Sequence, residues 1–222
     1  MRMLSPDARK LLASQVEEWH QALLADPDGP AISYLAARGI DQTAVGEFRL
    51  GWDGERLVIP YLTPAGPWQV KRRCISHLDC KAVNCPKYLG PDGLDPHLFN
   101  AQVLRTAETV VVVEGELDVV AGWSTGIDHV GHPGADTWVK HGYWVHAFDS
   151  VSTIVVVADG DPVRDGKKVG HGEEAARRIA GDLRKHYSDK TVNVVVMPIP
   201  YDANSYIHEN GPMEYLEFIG LI

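Results

Sequence analysis

Three valine-rich runs constrain this chain more than any other feature: residues 110–113, 154–157 and 192–196, the last interrupted only by Asn193. A strand with one wet face alternates apolar and polar side chains. Runs that stay apolar suit strands covered on both faces, as in a parallel sheet with helices on either side. The spacers fit that picture. Residues 117–124, 136–148 and 173–186 read as helices, and in the last of them Ala176, Ile179, Ala180 and Leu183 fall on one face. This strand–helix alternation predicts an α/β domain over residues 109–222, with the stretch from Asn204 onward packing as one or two short helices.

The first half reads differently. Ser5-Pro6 is a cap followed by a first-turn proline, opening a helix over residues 5–25 that Asp26-Pro27-Asp28-Gly29-Pro30 ends. Two short helices follow over 31–38 and 41–48, the second capped by Asp41. Residues 57–62 and 68–75 form a hairpin through Pro64-Ala65-Gly66-Pro67, and residues 76–100 are loop-rich. The fold expected is therefore α/β, a parallel sheet flanked by helices, preceded by a small mixed α+β subdomain over residues 1–108.

Charge divides along the same line. The formal net charge is −9, but residues 1–108 hold 12 Lys and Arg against 13 Asp and Glu, whereas residues 109–222 hold 9 against 17. Within the first part, residues 69–88 carry Lys71, Arg72, Arg73, Lys81 and Lys87 against Asp79 alone. A basic patch facing an acidic half suits a phosphate-chain binder with a metal site; a solvated charged strand and loop gives the same count. No run approaches the ~18 apolar residues of a membrane helix. Residues 1–7 contain no apolar signal core, and three cysteines within twelve residues are no disulfide framework. The expectation is a protein of the reducing cytoplasm, away from membranes.

In open parallel sheets, chemistry gathers beyond the carboxyl ends of the strands. Val113 is followed by Glu114-Gly115-Glu116-Leu117-Asp118, Val157 leads to Asp159-Gly160-Asp161, and Val196 leads through Pro198 and Pro200 to Asp202-Ala203-Asn204. Three strand ends thus present acids on one edge. Clustered carboxylates raise one another's pKa unless a cation intervenes, and hard oxygen donors suit Mg²⁺ or Mn²⁺. For a single strand end an acid capping the next helix is the plainer reading; three ends together favour a metal site. A second ligand set stands apart. Cys74, His77, Cys80 and Cys85 are spaced C-x2-H-x2-C-x4-C, and thiolate with imidazole in so short a span suits tetrahedral zinc, with buried thiols as the alternative. Trp138 and Trp144 are expected in packing, and most of His129, His132, His141 and His146 at the surface.

Val112-Val113-Glu114-Gly115-Glu116-Leu117-Asp118, Asp159-Gly160-Asp161 and Asp202-Ala203-Asn204 resemble the TOPRIM domain shared by bacterial-type primases, topoisomerases and some nucleases. Upstream, Tyr34-Leu35-Ala36-Ala37-Arg38-Gly39-Ile40, Phe48-Arg49-Leu50-Gly51-Trp52, Arg56-Leu57-Val58-Ile59-Pro60-Tyr61 and Pro86-Lys87-Tyr88-Leu89 resemble, in order, the catalytic core of bacterial and phage replicative primases. The resemblance implies template-directed synthesis of short RNA primers on single-stranded DNA from ribonucleoside triphosphates, by two-metal nucleotidyl transfer. It implies that Glu114 is a metal ligand or proton acceptor near the attacking hydroxyl, that Asp118, Asp159 and Asp161 belong to the Mg²⁺ or Mn²⁺ site, and that Asp202 is a further acid of it. It also makes Arg56, Lys87 and Tyr88 groove positions for template or nucleotide, beside the basic Lys71, Arg72 and Arg73.

The chain departs from that pattern in four places. Members usually carry an N-terminal zinc ribbon and often a C-terminal helicase-binding segment; the resemblance here covers the core alone, so the expectation is that a replicative helicase or a separate zinc-ribbon module is a partner. Phe99-Asn100-Ala101-Gln102 lacks the lysine usual after that phenylalanine, and Asn204 stands where many members have a second aspartate. Two rival readings stay open: a TOPRIM nuclease using the same acids, and a degenerate core that binds single strands without catalysis.

Overall fold

A computed structural model describes residues 4–77, 79–90, 95–163 and 165–222, and the chain divides into two compact units, Met1–Asp95 and Pro96–Ile222. The first unit opens with α1 (Pro6–Leu24), where the Ser5 hydroxyl accepts from the Ala8 amide as the cap-proline pair predicts. Helices α2 (Pro30–Ala36) and α3 (Gln42–Glu47) follow, and the Asp41 carboxylate caps α3 by accepting from the Ala44 amide at 2.8 Å. Four antiparallel strands come next: β1 (Gly51–Trp52), β2 (Leu57–Thr63), β3 (Gly66–Arg73) and β4 (Tyr88–Leu89), in that spatial order. Alternation along the hairpin decides its faces. Val58 and Val70 pack with Val16 of α1, so Lys71 and Arg73 lie on the opposite face from Arg72.

The second unit holds a wholly parallel sheet of β5 (Thr109–Glu114), β6 (Asp128–His132), β7 (Thr153–Ala158) and β8 (Thr191–Val196), in the order β6-β5-β7-β8. Val110, Val112, Ile154 and Val156 share a core with Trp138, Trp144, Phe148, Ile179 and Leu183, the two tryptophans packing as expected. These come from α5 (Ala135–Lys140), the 3-10 segment Gly142–Phe148 and α6 (His171–His186). Helix α4 (Glu116–Gly122) packs against β6 and α7 (Ala203–Asn210), and α8 (Pro212–Phe218) closes on α7. Residues 96–108 go with this unit, because Phe99 and Gly131 exchange backbone hydrogen bonds at 2.8 and 3.1 Å.

Three local expectations change. The single helix over 136–148 is broken: α5 ends at Lys140 and the chain tightens to 3-10 from Gly142, with His141 outside helical geometry between them. Strand β6 carries no apolar run, since only Val130 interrupts Asp128, His129, Gly131 and His132. His129 and His132 are accordingly buried rather than at the surface. The Nδ1–H of His129 donates to the Ile127 carbonyl at 2.8 Å and its ring stacks on Tyr215, while burial pulls both histidines down to a pKa of about 4. No helix among the described residues is long and apolar enough to cross a membrane.

Trp138 is fully buried, and its indole N–H donates to the Asp182 carboxylate at 3.0 Å. Replacing it with alanine is expected to cost about 3–5 kcal/mol in urea unfolding. Val139→Ala, on the exposed side of the same helix, should stay within ~0.5 kcal/mol of the parent.

Candidate functional site

The strand order dictates where the acids meet. From β5 the chain crosses through α4 to β6 on one side, then returns past β5 to β7 on the other. The carboxyl ends of β5 and β7 are therefore a switch point, where a crevice opens. Glu114 ends β5, and Asp159 follows β7 directly. Gly115, at φ 102°, turns the chain from strand into α4 in a conformation that favours glycine, and so brings Asp118 back over the same edge.

Backbone groups fix most of these carboxylates. Asp118 is buried and accepts from the Asn204 amide at 3.0 Å. Asp161 accepts from the Gly172 amide at 3.0 Å, at the start of α6. Asp202 is the cap of α7, in a reciprocal capping box with Ser205. Between Asp159 and Asp161, Gly160 presses so near the neighbouring segment that a β-carbon there would fall 2.7 Å from the Met197 carbonyl oxygen and nearer still to that of Pro198. Burial is the largest influence on Asp159; Asp118, Glu114, Asp202 and Asp161 add to it in that order, and together they push its pKa up to about 9. The five acids named from the sequence thus share one electrostatic neighbourhood. An all-oxygen set in which burial and neighbouring acids hold one carboxyl protonated at neutral pH fits hard divalent ions. Among the described residues, however, these carboxylates are not a group whose ligand atoms all lie within 4.8 Å of one another.

The first unit holds the cationic candidates. The Lys71 ammonium lies 5.7 Å from the Tyr61 ring and 5.6 Å from the Tyr88 ring. The Arg73 guanidinium lies 5.0 Å from the Tyr88 ring and 5.7 Å from that of Tyr34, and it donates to the Tyr88 hydroxyl. Arg38 covers the same Tyr34 ring at 5.0 Å. Cations and rings therefore alternate along one face of the sheet, an arrangement worth about 0.5–2 kcal/mol per contact. Tyr34, Arg38 and Tyr61 were not among the residues singled out from the sequence; the hairpin register that aligns Tyr61 with Gln69, two residues before Lys71, is the signal that finds Tyr61. Arg72, on the other face, lies 3.7 Å from the Asp53 carboxylate, and Lys87 is exposed. Arg56 is buried, its guanidinium donating to the Pro86 carbonyl at 2.8 Å and to the Cys85 sulfur at 3.2 Å.

Cys74, His77, Cys80 and Cys85 converge, each offering a ligand atom within 4.8 Å of all the others, so this group could hold a metal ion. Burial drives the Cys74 thiol up, but hydrogen bonds from His77, the Ser76 backbone, Cys80 and Cys85 outweigh it and bring the pKa to about 6. The group borders a cavity of about 540 Å³ that Tyr34, Arg38, Arg73, Lys81 and Lys87 also line.

No family model matches the chain. The gene 57 protein of Mycobacterium phage D29 is 30% identical over 166 residues, spanning 73% of this chain and 97% of that protein. Among solved structures, a DnaG catalytic core superposes with a TM-score of 0.74 at 19% identity, over 96% of this chain and 79% of the other. A DnaG primase catalytic domain bound to single-stranded DNA gives 0.73 at 19% identity, over 96% and 80%.

Asp159 sets a measurable sign. Its carboxyl ionises near the ordinary aspartate value when unfolded but only at about 9 when folded, so across that interval the native state holds the extra proton. Relative to Asp159→Asn, the wild type in metal-free buffer should therefore lose stability as pH rises from ~7 to ~9; the Cys74 thiol, lowered to about 6 when folded, acts with the opposite sign in both proteins and cancels in the difference. Denaturation of the two proteins with a chelator present checks this: the wild-type minus variant stability should fall across that interval, and added Mg²⁺ should stabilise the wild type more than the variant.

Proposed function

We propose, for a chain that belongs to the family of the gene 57 protein of Mycobacterium phage D29 and has the fold of the bacterial-type primase catalytic core, that it is a DNA-directed RNA primase core. The observation that carries this reading is the acid cluster at the β5–β7 switch point, set in that fold. The substrates are a single-stranded DNA template and ribonucleoside triphosphates, and the reaction joins a 3′-hydroxyl oxygen to the α-phosphorus of the incoming nucleotide while pyrophosphate leaves. A replicative helicase or a separate zinc-ribbon module completes the assembly, in a phage-type replication setting.

In this reading Glu114, Asp159 and Asp161 hold the divalent ions, Mg²⁺ or Mn²⁺. When bound, such ions supply positive charge at the attacking hydroxyl and at the leaving pyrophosphate. Glu114 closes a rigid strand and accepts the hydroxyl proton. Asp118, held by the Asn204 amide, and Asp202, held by its own helix cap, keep the remaining negative charge in fixed positions. Fixed carboxylates need no reorganisation during the reaction, which is where sites of this kind gain most of their rate.

The template is held by the cation-and-ring face of the first unit. Lys71 and Arg73 supply phosphate contacts, Tyr88 between them supplies a stacking surface, and exposed Lys87 extends the track. The sulfur-and-imidazole group in that unit takes no part in the chemistry.

A denaturing gel with mixed-sequence single-stranded DNA, labelled ribonucleotides and Mg²⁺ or Mn²⁺ tests the proposal. Short labelled RNA is expected, and Asp159→Ala with Asp161→Ala should lower its yield by roughly a hundredfold or more while leaving strand binding intact. Lys71→Ala with Lys87→Ala should do the reverse, weakening binding and flattening its salt dependence by about two phosphate contacts. A shortened template without RNA would identify a hydrolase instead.

A further inference from the structure

We propose that Cys74, His77, Cys80 and Cys85 form a structural zinc site that pins the short strand β4 to the sheet, with the Arg56 guanidinium as its charge-balancing outer partner. Two of the separations are close to those of ligands around one ion, and all four ligand atoms lie within 4.8 Å of one another. Zn–S bonds of about 2.3 Å and a Zn–N bond of about 2.0 Å at tetrahedral angles separate two sulfurs by ~3.8 Å and a sulfur from a nitrogen by ~3.5 Å. Here the Cys74 and Cys85 sulfurs are 3.7 Å apart, and the Cys74 sulfur is 3.3 Å from Nδ1 of His77. A disulfide would need about 2.05 Å between the sulfurs, and all three cysteines are free.

The backbone is folded to present these ligands. The Asp79 carboxylate accepts from the amides of Lys81 and Ala82 at 2.9 and 3.1 Å, turning the chain at Cys80. The Cys85 amide donates to the Cys80 carbonyl at 2.8 Å, with Asn84 at φ 52° making the tight return. This is a knuckle, closed at both ends by sulfur. Three thiolates and a neutral imidazole around a divalent ion leave a net charge of minus one. Arg56, 6% exposed and donating to the Cys85 sulfur at 3.2 Å, cancels it without proton exchange, since arginine stays charged. Oxygen-preferring ions are excluded by the donor set, and among first-row ions zinc suits thiolate with imidazole at tetrahedral angles.

The knuckle also answers a question of stability. Strand β4 has two residues and two register pairs, Arg72 with Leu89 and Arg73 with Tyr88, too few to hold a strand alone. Cys74 follows the last residue of β3, its amide donates to the Lys87 carbonyl at 2.9 Å, and Cys85 lies three positions before Tyr88, the first residue of β4. An ion joining Cys74 to Cys85 therefore clamps the two strands where the ladder is shortest.

Metal analysis of the full-length protein purified without added chelator, followed by cobalt exchange, tests this. One zinc per chain and the visible spectrum of tetrahedral cobalt–thiolate are expected. His77→Ala and Cys80→Ser should lose the metal, whereas His77→Cys, which restores a fourth soft ligand, should keep it even if the other two variants fold poorly. Arg56→Gln should weaken zinc binding by about 10–100-fold. Chelation of the wild type should speed amide exchange at Cys74 and Leu89 while leaving β5 and β7 protected. No bound zinc after reconstitution, iron in its place, or a Cys74–Cys85 disulfide in the mass spectrum would overturn the proposal.

Discussion

Carboxylates repel one another, and the pairing of β5 with β7 leaves them nowhere else to go. The two strands align Val110 with Ile154 and Val112 with Val156, side chains with no exposed surface, so Glu114 and Asp159 must emerge at the same edge. Each buried branched side chain contributes about 1.5–3 kcal/mol, and four of them on this ladder fix the register that brings the acids to one edge. The register of an apolar core thus decides the electrostatics of a polar rim. The starts of α6 and α7 then fit around that rim, supplying the backbone amides of Gly172, Asn204 and Ser205 to Asp161, Asp118 and Asp202.

The two units solve the opposite problem for opposite charges. In the second, acids are held rigid by N–H groups. In the first, cations are held by aromatic faces, which attract them without neutralising them as carboxylates do. Lys71 and Arg73 lie against tyrosine rings, Arg73 buried among them, whereas Arg72 on the other face lies beside Asp53. One residue of register separates the two outcomes.

Much of this was legible in the sequence, for physical reasons that also explain the failures. The runs at 110–113 and 154–157 could be read because strands buried on both faces have no alternative composition, whereas β8, read from 192–196, is an outer strand of the sheet with Val192 buried but Asn193 and Val196 exposed, so its covering on both faces does not hold. The acids could be placed because each follows such a run. Strand β6 could not, since it has no apolar run and its contacts lie far off in sequence: the His129 ring stacks on Tyr215, and the Gly131 backbone pairs with that of Phe99. The break between Lys140 and Gly142 was hidden for a related reason, as helical periodicity continues through it to Trp144 and Phe148. Arg56 shows the same limit at the level of one side chain. Its position fits a groove residue, yet its guanidinium is turned to Cys85 and Pro86, contacts that only the folded knuckle creates.

Asn204 stands where an aspartate is usual among the proteins this chain resembles, and its link to Asp118 runs through the main-chain amide. Such a link is inherited with the shape of the backbone rather than with the letter at that position. A lineage can therefore exchange acid for amide at residue 204, trimming one negative charge from the rim, and still pass on the anchor that orients Asp118. Selection on the strength of cation binding and selection on the placement of that carboxylate become separable, each open to change while the other is conserved.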